Sequence, residues 1–275
     1  MATVKRLDLT KKGMSLDKAY RDEDYTQVWD NFLDPATQYA RKVLNKEIVA
    51  GYKLRLSAFR HVRDIQRSQE DDGTFPYYYD LTVAQKVMLF ALSTPNPDTG
   101  KPVDLMPWQW YLLLVSKAWR RKDDPNQARF RTGIISVARG QGKTMLEAIL
   151  MLYSFIIEGD GLSNQDYLVT APTAVQLTKI WDYMISTANL MRETKEFKPY
   201  FTRRNILVQE TSIRSVKDRS KIIKISDESG RFESFHASYG VGDEYGETDG
   251  QNAGKITSGM MLSGGQFMMI STAKD

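Results

Sequence analysis

Three short segments carry residue types able to do phosphate chemistry. The first is Arg139-Gly-Gln-Gly-Lys-Thr144. Backbone N–H groups around Gly140, Gln141 and Gly142 can wrap a polyphosphate, and a helix beginning there presents its positive N-terminus to the same anion. Lys143 is then placed to contact the β/γ-phosphates of ATP and Thr144 to ligate Mg²⁺. The usual G-x-x-x-x-G-K-[ST] spacing is not met, because Val137 holds the position of the first glycine. The second segment, Asp243-Glu244, supplies the two acids such a loop needs. Asp243 stands behind Mg²⁺, mostly through water, Glu244 polarises the attacking water, and Glu247 is a reserve. The third, Ile270-Ser271-Thr272, ends an apolar run with two hydroxyls that could sense the γ-phosphate. Upstream, Pro107-Trp108-Gln109 offers a glutamine amide able to read both the donor and the acceptor edge of adenine, beside Trp108.

These segments need a scaffold, and the pattern around them provides one. Ile134, Ile135 and Val137 form a β-branched run before the loop, while Leu146, Ile149, Leu150 and Tyr153 make a helical stripe after it. The expected order is a helix from Pro107 to about Arg121, a strand at 131–138, the loop and its helix from Met145 to about Ile157, and a strand at 167–171. A helix from Ala174 to about Met191 follows, then strands at 206–209, 221–225, 237–242 and 266–271. Strands alternating with helices imply an α/β sandwich with a mostly parallel sheet, whose carboxyl edge gathers the loop and the acids of a neighbouring strand. The strand ending in Asp243 is less apolar than such strands usually are.

Before residue 100 the pattern is helical. Ala40, Val43, Leu44 and Ile48 form one stripe, and a following helix carries Leu54, Ala58, Val62 and Ile65 opposite Arg60, Arg63 and Arg67, a ridge that faces either DNA or water. Residues 1–35 read as a polar segment that orders only against something else, 36–100 as a helical extension, and 101–275 as the core carrying the chemistry.

Composition narrows the classes. The 275 residues contain no cysteine and two histidines, His61 and His236, which excludes disulfides, thiolate metal sites and a histidine zinc site. No apolar run approaches the roughly 20 residues that span a bilayer, so no membrane role is expected. The formal charge of +4 is modest. Arg203, Arg204, Arg214, Lys217, Arg219, Lys221 and Lys224 nevertheless crowd one region, either as a solvated face or as a polyanion contact.

Taken in order, Tyr39-Ala-Arg-Lys-Val43, Ala58-Phe-Arg-His-Val-Arg-Asp64, Met106-Pro-Trp-Gln109, Ser136-Val-Ala-Arg-Gly-Gln-Gly-Lys-Thr144, Ala171-Pro-Thr-Ala-Val-Gln176, Asp243-Glu244 and Ile270-Ser-Thr-Ala273 resemble the ATPase region of tailed-phage terminase large subunits, over residues 36 to 273. In that family the loop typically lacks its first glycine and carries an arginine before it, as Arg139 does. The resemblance implies a three-layer P-loop fold of the additional-strand class. It implies ATP and Mg²⁺ as cofactors, Gln109 in an adenine-reading motif, and Ser271-Thr272-Ala273 coupling hydrolysis to movement of double-stranded DNA into a procapsid. Arg139 could stabilise charge within the subunit, and Arg231 is placed where related motors offer a finger to a neighbour. Implied partners are the portal protein, the small terminase subunit and further copies in a pentameric ring, with a monomer in isolation, in the host cytoplasm at the portal vertex. Such large subunits usually continue into a nuclease domain. No nuclease carboxylate cluster can be named here, so the chain reads as an ATPase-domain fragment or as a packaging ATPase without its own nuclease. Two other readings share the same motifs: a helicase-like P-loop ATPase, and a nucleotide-dependent binding module that does not turn over.

Overall fold

Two glycines with positive φ, Gly140 at 77° and Gly142 at 72°, let the chain turn from a strand into a helix within five residues. The computed structural model describes residues 9–70, 73–226, 237–245, 251–261 and 264–272. Arg231, Glu247, His236 and Ala273 lie outside the described residues. The chain forms two compact units, Met1–Gln85 with Leu105–Asn126, and Lys86–Asp104 with Gln127–Asp275.

The first unit begins with helices α1 (Leu9–Arg21), α2 (Thr26–Asn31), α3 (Pro35–Leu44) and α4 (Tyr52–Gln69). The stretch expected to be a polar tail is thus helical from residue 9. What it orders against is α4: Asp17 of α1 pairs with Arg55 and, at 2.9 Å, with Lys46. A short strand β1 (Tyr77–Tyr79) is followed by α5 (Leu81–Ser93), which from Lys86 onward belongs to the second unit, and α6 (Pro107–Ala118) leads directly into β2 (Trp119–Arg121), which pairs antiparallel with β1. The helix expected to run on to Arg121 therefore ends three residues earlier, where the backbone extends to complete this ribbon.

A buried polar chain ties this unit together. Trp119 Nε1 donates to His61 Nδ1 at 3.0 Å, and His61 Nε2 lies 3.1 Å from Thr37 Oγ1. Thr37 Oγ1 donates to Asp34 Oδ2 at 2.7 Å, while Asp34 also caps α3 and accepts from Tyr79. The arginine ridge of α4 is tied to its own unit. Arg63 donates to the fully buried Asp64 at 2.8 Å, and Arg67 lies 4.4 Å over the ring of Phe75.

The second unit is built on a seven-stranded sheet. Its members are β3 (Thr132–Val137), β4 (Asp166–Ala171), β5 (Ile206–Val208), β6 (Ser212–Ser215), β7 (Ser220–Ser226), β8 (Ala237–Gly242) and β9 (Gln266–Thr272), in the order β3-β9-β8-β4-β7-β6-β5. The first five in that order run parallel, and β6 is antiparallel to both of its neighbours. Helices α7 (Lys143–Tyr153), α8 (Ala174–Glu193), α9 (Lys198–Arg204) and α10 (Gln251–Met261) complete the unit, with α7 continuing into a π-helical turn at Ser154–Glu158. No described helix is long and apolar enough to cross a membrane.

The glycines of β8 explain why that strand looked weakly apolar. A Cβ on Gly240 would meet Phe267 at 2.8 Å, and one on Gly242 would meet Tyr245 at 2.4 Å. Absent side chains here admit aromatic rings from β9 and from the turn after β8, which pack with Leu168, Ala237, Ile256 and Met260. Gly265, at the entry to β9, has less room to give, because its Cβ would stand 2.4 Å from the carbonyl oxygen of Ala237, a backbone atom. Gly265→Ala is expected to lower stability by about 1–3 kcal/mol. Gly254→Ala, on α10 with open space around it, should instead raise stability by roughly 0.5–1 kcal/mol. Urea midpoints of the two variants would check this, and equal midpoints would contradict the packing described.

Candidate functional site

Parallel strands end at the same edge of a sheet, and three neighbours in this one, β3, β9 and β8, end in the three chemically suggestive segments. β3 runs into the 138–142 loop, β9 ends at Ser271-Thr272, and β8 is followed by Asp243-Glu244. The acids were expected on a strand beside β3. They are one strand further away, because β9 pairs with β3 (Val137 opposite Thr272) and β8 pairs with the other side of β9. This inserts the hydroxyls of β9 between the lysine and the acids.

Lys143 is the hub. Its ammonium group forms an ion pair with Glu244 Oε1, donates to Thr272 Oγ1 at 2.6 Å, and stands 3.8 Å from Asp243 Oδ1. Only 11% of its side chain is exposed, against 14% for Asp243 and 21% for Glu244. Glu244 accepts further hydrogen bonds from Thr272 N (3.0 Å), Thr272 Oγ1 (2.6 Å) and Ser271 Oγ (3.5 Å). Its backbone is left-handed, φ 50°, an uncommon conformation for a non-glycine residue. The turn is held by the Glu244 N–H, which donates to Asp243 Oδ1 at 2.9 Å, and by Asp243 N–H, which donates to Thr170 O of β4 at 2.9 Å.

Electrostatics separate the two acids. Partial burial would raise the carboxyl of Glu244, but hydrogen bonds from Lys143 and Thr272 pull it down to about 2. Asp243 moves the other way: burial raises it, the Glu244 charge adds to the rise, and Lys143 opposes it. One acid is thus firmly ionised while its neighbour holds a proton more readily.

The remaining expected residues are placed as follows. Arg139 and Gly140 are exposed on the loop, Gln141 and Thr144 are half-buried, and Arg139 has no partner among the described residues. Trp108 and Gln109 lie on α6 of the first unit, where Gln109 is 2% exposed and its Oε1 accepts the Met106 N–H at 2.9 Å, so its carbonyl oxygen serves the helix start. Of the basic cluster, Arg204 is not a surface residue. It is 2% exposed, pairs with Asp218 at 2.7 Å and donates to the carbonyls of Phe155 and Ile156 at 2.5 and 3.3 Å, satisfying the π-helical turn after α7. Arg203 pairs with Asp160, whereas Arg214 and Lys217 are exposed.

The donor set suits the implied ligands. Thr144 offers a hydroxyl in the first turn of α7 and Asp243 a carboxylate, both hard oxygen donors of the kind Mg²⁺ takes. The described residues contain no cluster of three or more His, Cys, Asp or Glu side chains able to chelate an ion by themselves. A cation here would therefore depend on nucleotide phosphates and water for most of its ligands, as Mg²⁺ in nucleotide sites does.

A strand, a loop with two left-handed glycines, a buried helix, and acids gathered at the carboxyl edge of a mostly parallel sheet define a P-loop ATPase fold. Comparison with known proteins agrees. Residues 107–275 match the family described as terminase large subunit, ATPase domain, and the chain belongs to that family. The HK97 bacteriophage large terminase superposes with a TM-score of 0.54 at 18% identity, covering 68% of this chain and 37% of that one. The large terminase ATPase domain of Thermus phage P74-26 gives a TM-score of 0.43 at 14% identity, over 54% of this chain and 61% of that one. The UvsW helicase of bacteriophage T4 gives 0.44 at 12% identity, over 68% and 59%. The chain thus spans little more than a third of the HK97 protein. No curated protein sequence matches it.

The ion pair generates a test with a defined sign. Glu244 binds its proton less tightly in the fold than at its ordinary value of 4.5, so the contact stabilises above about pH 4.5 and is lost as pH falls through about 2. In carboxyl-carbon NMR of the nucleotide-free chain, Glu244 should titrate near 2, and in Lys143→Ala it should return toward the usual glutamate range. A Glu244 that titrates normally in the unaltered chain would show that the pair does not form.

Proposed function

We propose that this chain hydrolyses Mg·ATP at the Lys143–Asp243–Glu244 site and couples the reaction to translocation of double-stranded DNA into a procapsid. The observation that carries the reading is the convergence of Lys143, Glu244 and Thr272, far apart in sequence, within one hydrogen-bonded group at the sheet edge. Amides of the 140–142 loop and the N-terminus of α7 receive the phosphates, and Lys143 moves from Glu244 onto the β/γ-oxygens. Thr144 and, through water, Asp243 would hold Mg²⁺, which would supply charge neutralisation on the phosphoryl oxygens.

Departure of Lys143 also prepares the base. An acid whose proton affinity lies near pH 2 is a poor proton acceptor, and removing the ammonium lets that affinity rise. Glu244 then orients a water whose oxygen bonds to the γ-phosphorus as the bond to the β-phosphate bridging oxygen breaks, and the water's proton passes to the carboxylate or to the departing phosphate. Thr272, which hydrogen-bonds both Lys143 and Glu244 in the resting site, reports the exchange to β9. Arg139 contacts the γ-phosphate within the subunit. Arg231 serves as a finger for a neighbouring copy in a ring on the portal. DNA contacts go to phosphates through exposed Arg214 and Lys217, with a steep salt dependence.

Lys143→Ala should abolish both nucleotide binding and hydrolysis. Glu244→Ala should leave binding within a few-fold and slow hydrolysis on the order of 10²–10⁴-fold. Binding of a fluorescent ATP analogue alongside phosphate release, with DNA and procapsids present, separates the two. Full hydrolysis by Glu244→Ala would remove the proposed base.

A further inference from the structure

The helix that begins at the phosphate loop does not end as an α-helix. α7 runs without a break from Lys143 into the π-helical turn at Ser154–Glu158. In α geometry the Gly159 N–H would donate to Phe155 O and the Asp160 N–H to Ile156 O, each four residues back. Instead Gly159 donates to Ser154 O at 2.8 Å and Asp160 to Ile157 O at 3.3 Å, which releases both carbonyls. Arg204 takes them: its Nη1 donates to Phe155 O at 2.5 Å and to Ile156 O at 3.3 Å, with the guanidinium 4.9 Å from the centre of the Phe155 ring. The turn is built for this arrangement, since a Cβ on Gly159 would stand 2.7 Å from Phe155 O and 2.4 Å from the Tyr167 hydroxyl. Yet Arg204 is not fully satisfied, because Nη2 is shielded from water and meets no acceptor among the described residues. Arg204 and two helix N–H groups thus compete for the same two carbonyls, and the end of α7 has two hydrogen-bond registers open to it.

What holds Arg204 in place is a surface turn. Its Nε donates to Asp218 Oδ2 at 2.7 Å, and its carbonyl oxygen accepts from Ser215 Oγ at 2.8 Å and from the Lys217 N–H at 3.3 Å. Asp218 lies in the 216–219 turn between β6 and β7, with only 13% of its side chain exposed, and is flanked by the exposed Lys217 and Arg219. We propose that Arg204 and Asp218 are positioning residues that make the nucleotide site responsive to a polyanion. DNA phosphates gathered by Lys217 and Arg219 draw Asp218 from Arg204, Arg204 leaves Phe155 and Ile156, and the last turn of α7 returns to α register. The other end of that helix carries Lys143 and Thr144, so the change alters how the loop holds a nucleotide. By linkage, nucleotide at the loop changes DNA affinity by the same factor. The inference rests on the proposed assignment of phosphates to the 139–144 loop and of DNA contacts to this basic region.

The test measures Mg·ADP affinity with and without a saturating short DNA duplex, together with the acceptor of the Gly159 N–H, read in NMR by scalar coupling through the hydrogen bond. In the unaltered chain the duplex should change ADP affinity by about fivefold or more and move the coupling from the Ser154 carbonyl to that of Phe155. Asp218→Asn, which loses the charge that anchors Arg204, should bind the duplex within a few-fold of the unaltered chain and hold ADP with one affinity whether or not the duplex is present. Asp218→Glu, which keeps the charge, should restore the response. An ADP affinity that the duplex leaves unchanged in the unaltered chain overturns the proposal. So does an Asp218→Asn chain as responsive as the unaltered one, or an Asp218→Glu chain as unresponsive as Asp218→Asn. Should Asp218→Asn not fold, the Gly159 coupling decides alone, and one that stays on Ser154 with the duplex bound overturns the proposal. A chain that binds no ADP, or no duplex, would refute the proposed function itself. The separate binding measurements distinguish that result from a failure of coupling between two sites that both bind.

Discussion

The pairing of Lys143 with Glu244, in a pocket where 11% and 21% of their side chains remain exposed, is the interaction on which the site depends. A lysine at the start of a buried helix has few places to put its charge. Here the place is a carboxylate on the far side of an intervening strand, with Thr272 of that strand bonded to both ions. The arrangement keeps the lysine of the loop and the acid after β8 neutralised by each other. In the proposed cycle a polyphosphate competes directly for the lysine, so that binding and activation of the base are one exchange of partners. The left-handed backbone of Glu244, held by Asp243, fixes the geometry in which that exchange starts.

The sheet makes this possible through its order. β9 separates the loop-bearing β3 from the acid-bearing β8, and close packing of the three strands is secured by glycines where aromatic rings from β9 and Tyr245 need room. On the other side α7, buried from Leu146 to Tyr153, packs against β8. A rigid wall behind the acids is what an electrostatic site requires.

Much of this was legible in the sequence because it is local. The β-branched run before Arg139 and the stripe from Leu146 to Tyr153 each carry their period within a few residues, and parallel-sheet logic then brings the loop and the acids to one edge. What was not legible is non-local. Nothing in Asp243-Glu244 says that β9 intervenes, since strand order depends on pairing across more than a hundred residues. Arg204 reads as one more surface cation beside Arg203, and only its contact with the carbonyls of Phe155 and Ile156 shows it to be interior. The helix at 9–21 is obscured by polar composition, and its order comes from Asp17 reaching Arg55 and Lys46. The burial of Glu147 has a readable signal: from Met145 to Tyr153 the helix is otherwise apolar on every side, so its one acid has no solvent face to occupy.

The central claim is that Lys143 exchanges Glu244 for the terminal phosphate. A crystal structure of this chain with ADP and beryllium fluoride addresses it most directly. The account predicts the Lys143 ammonium on the fluoride and β-phosphate oxygens, with Glu244 freed and in contact with a water in line with the beryllium. A nucleotide bound elsewhere, or bound in the loop with Lys143 still on Glu244, would contradict it.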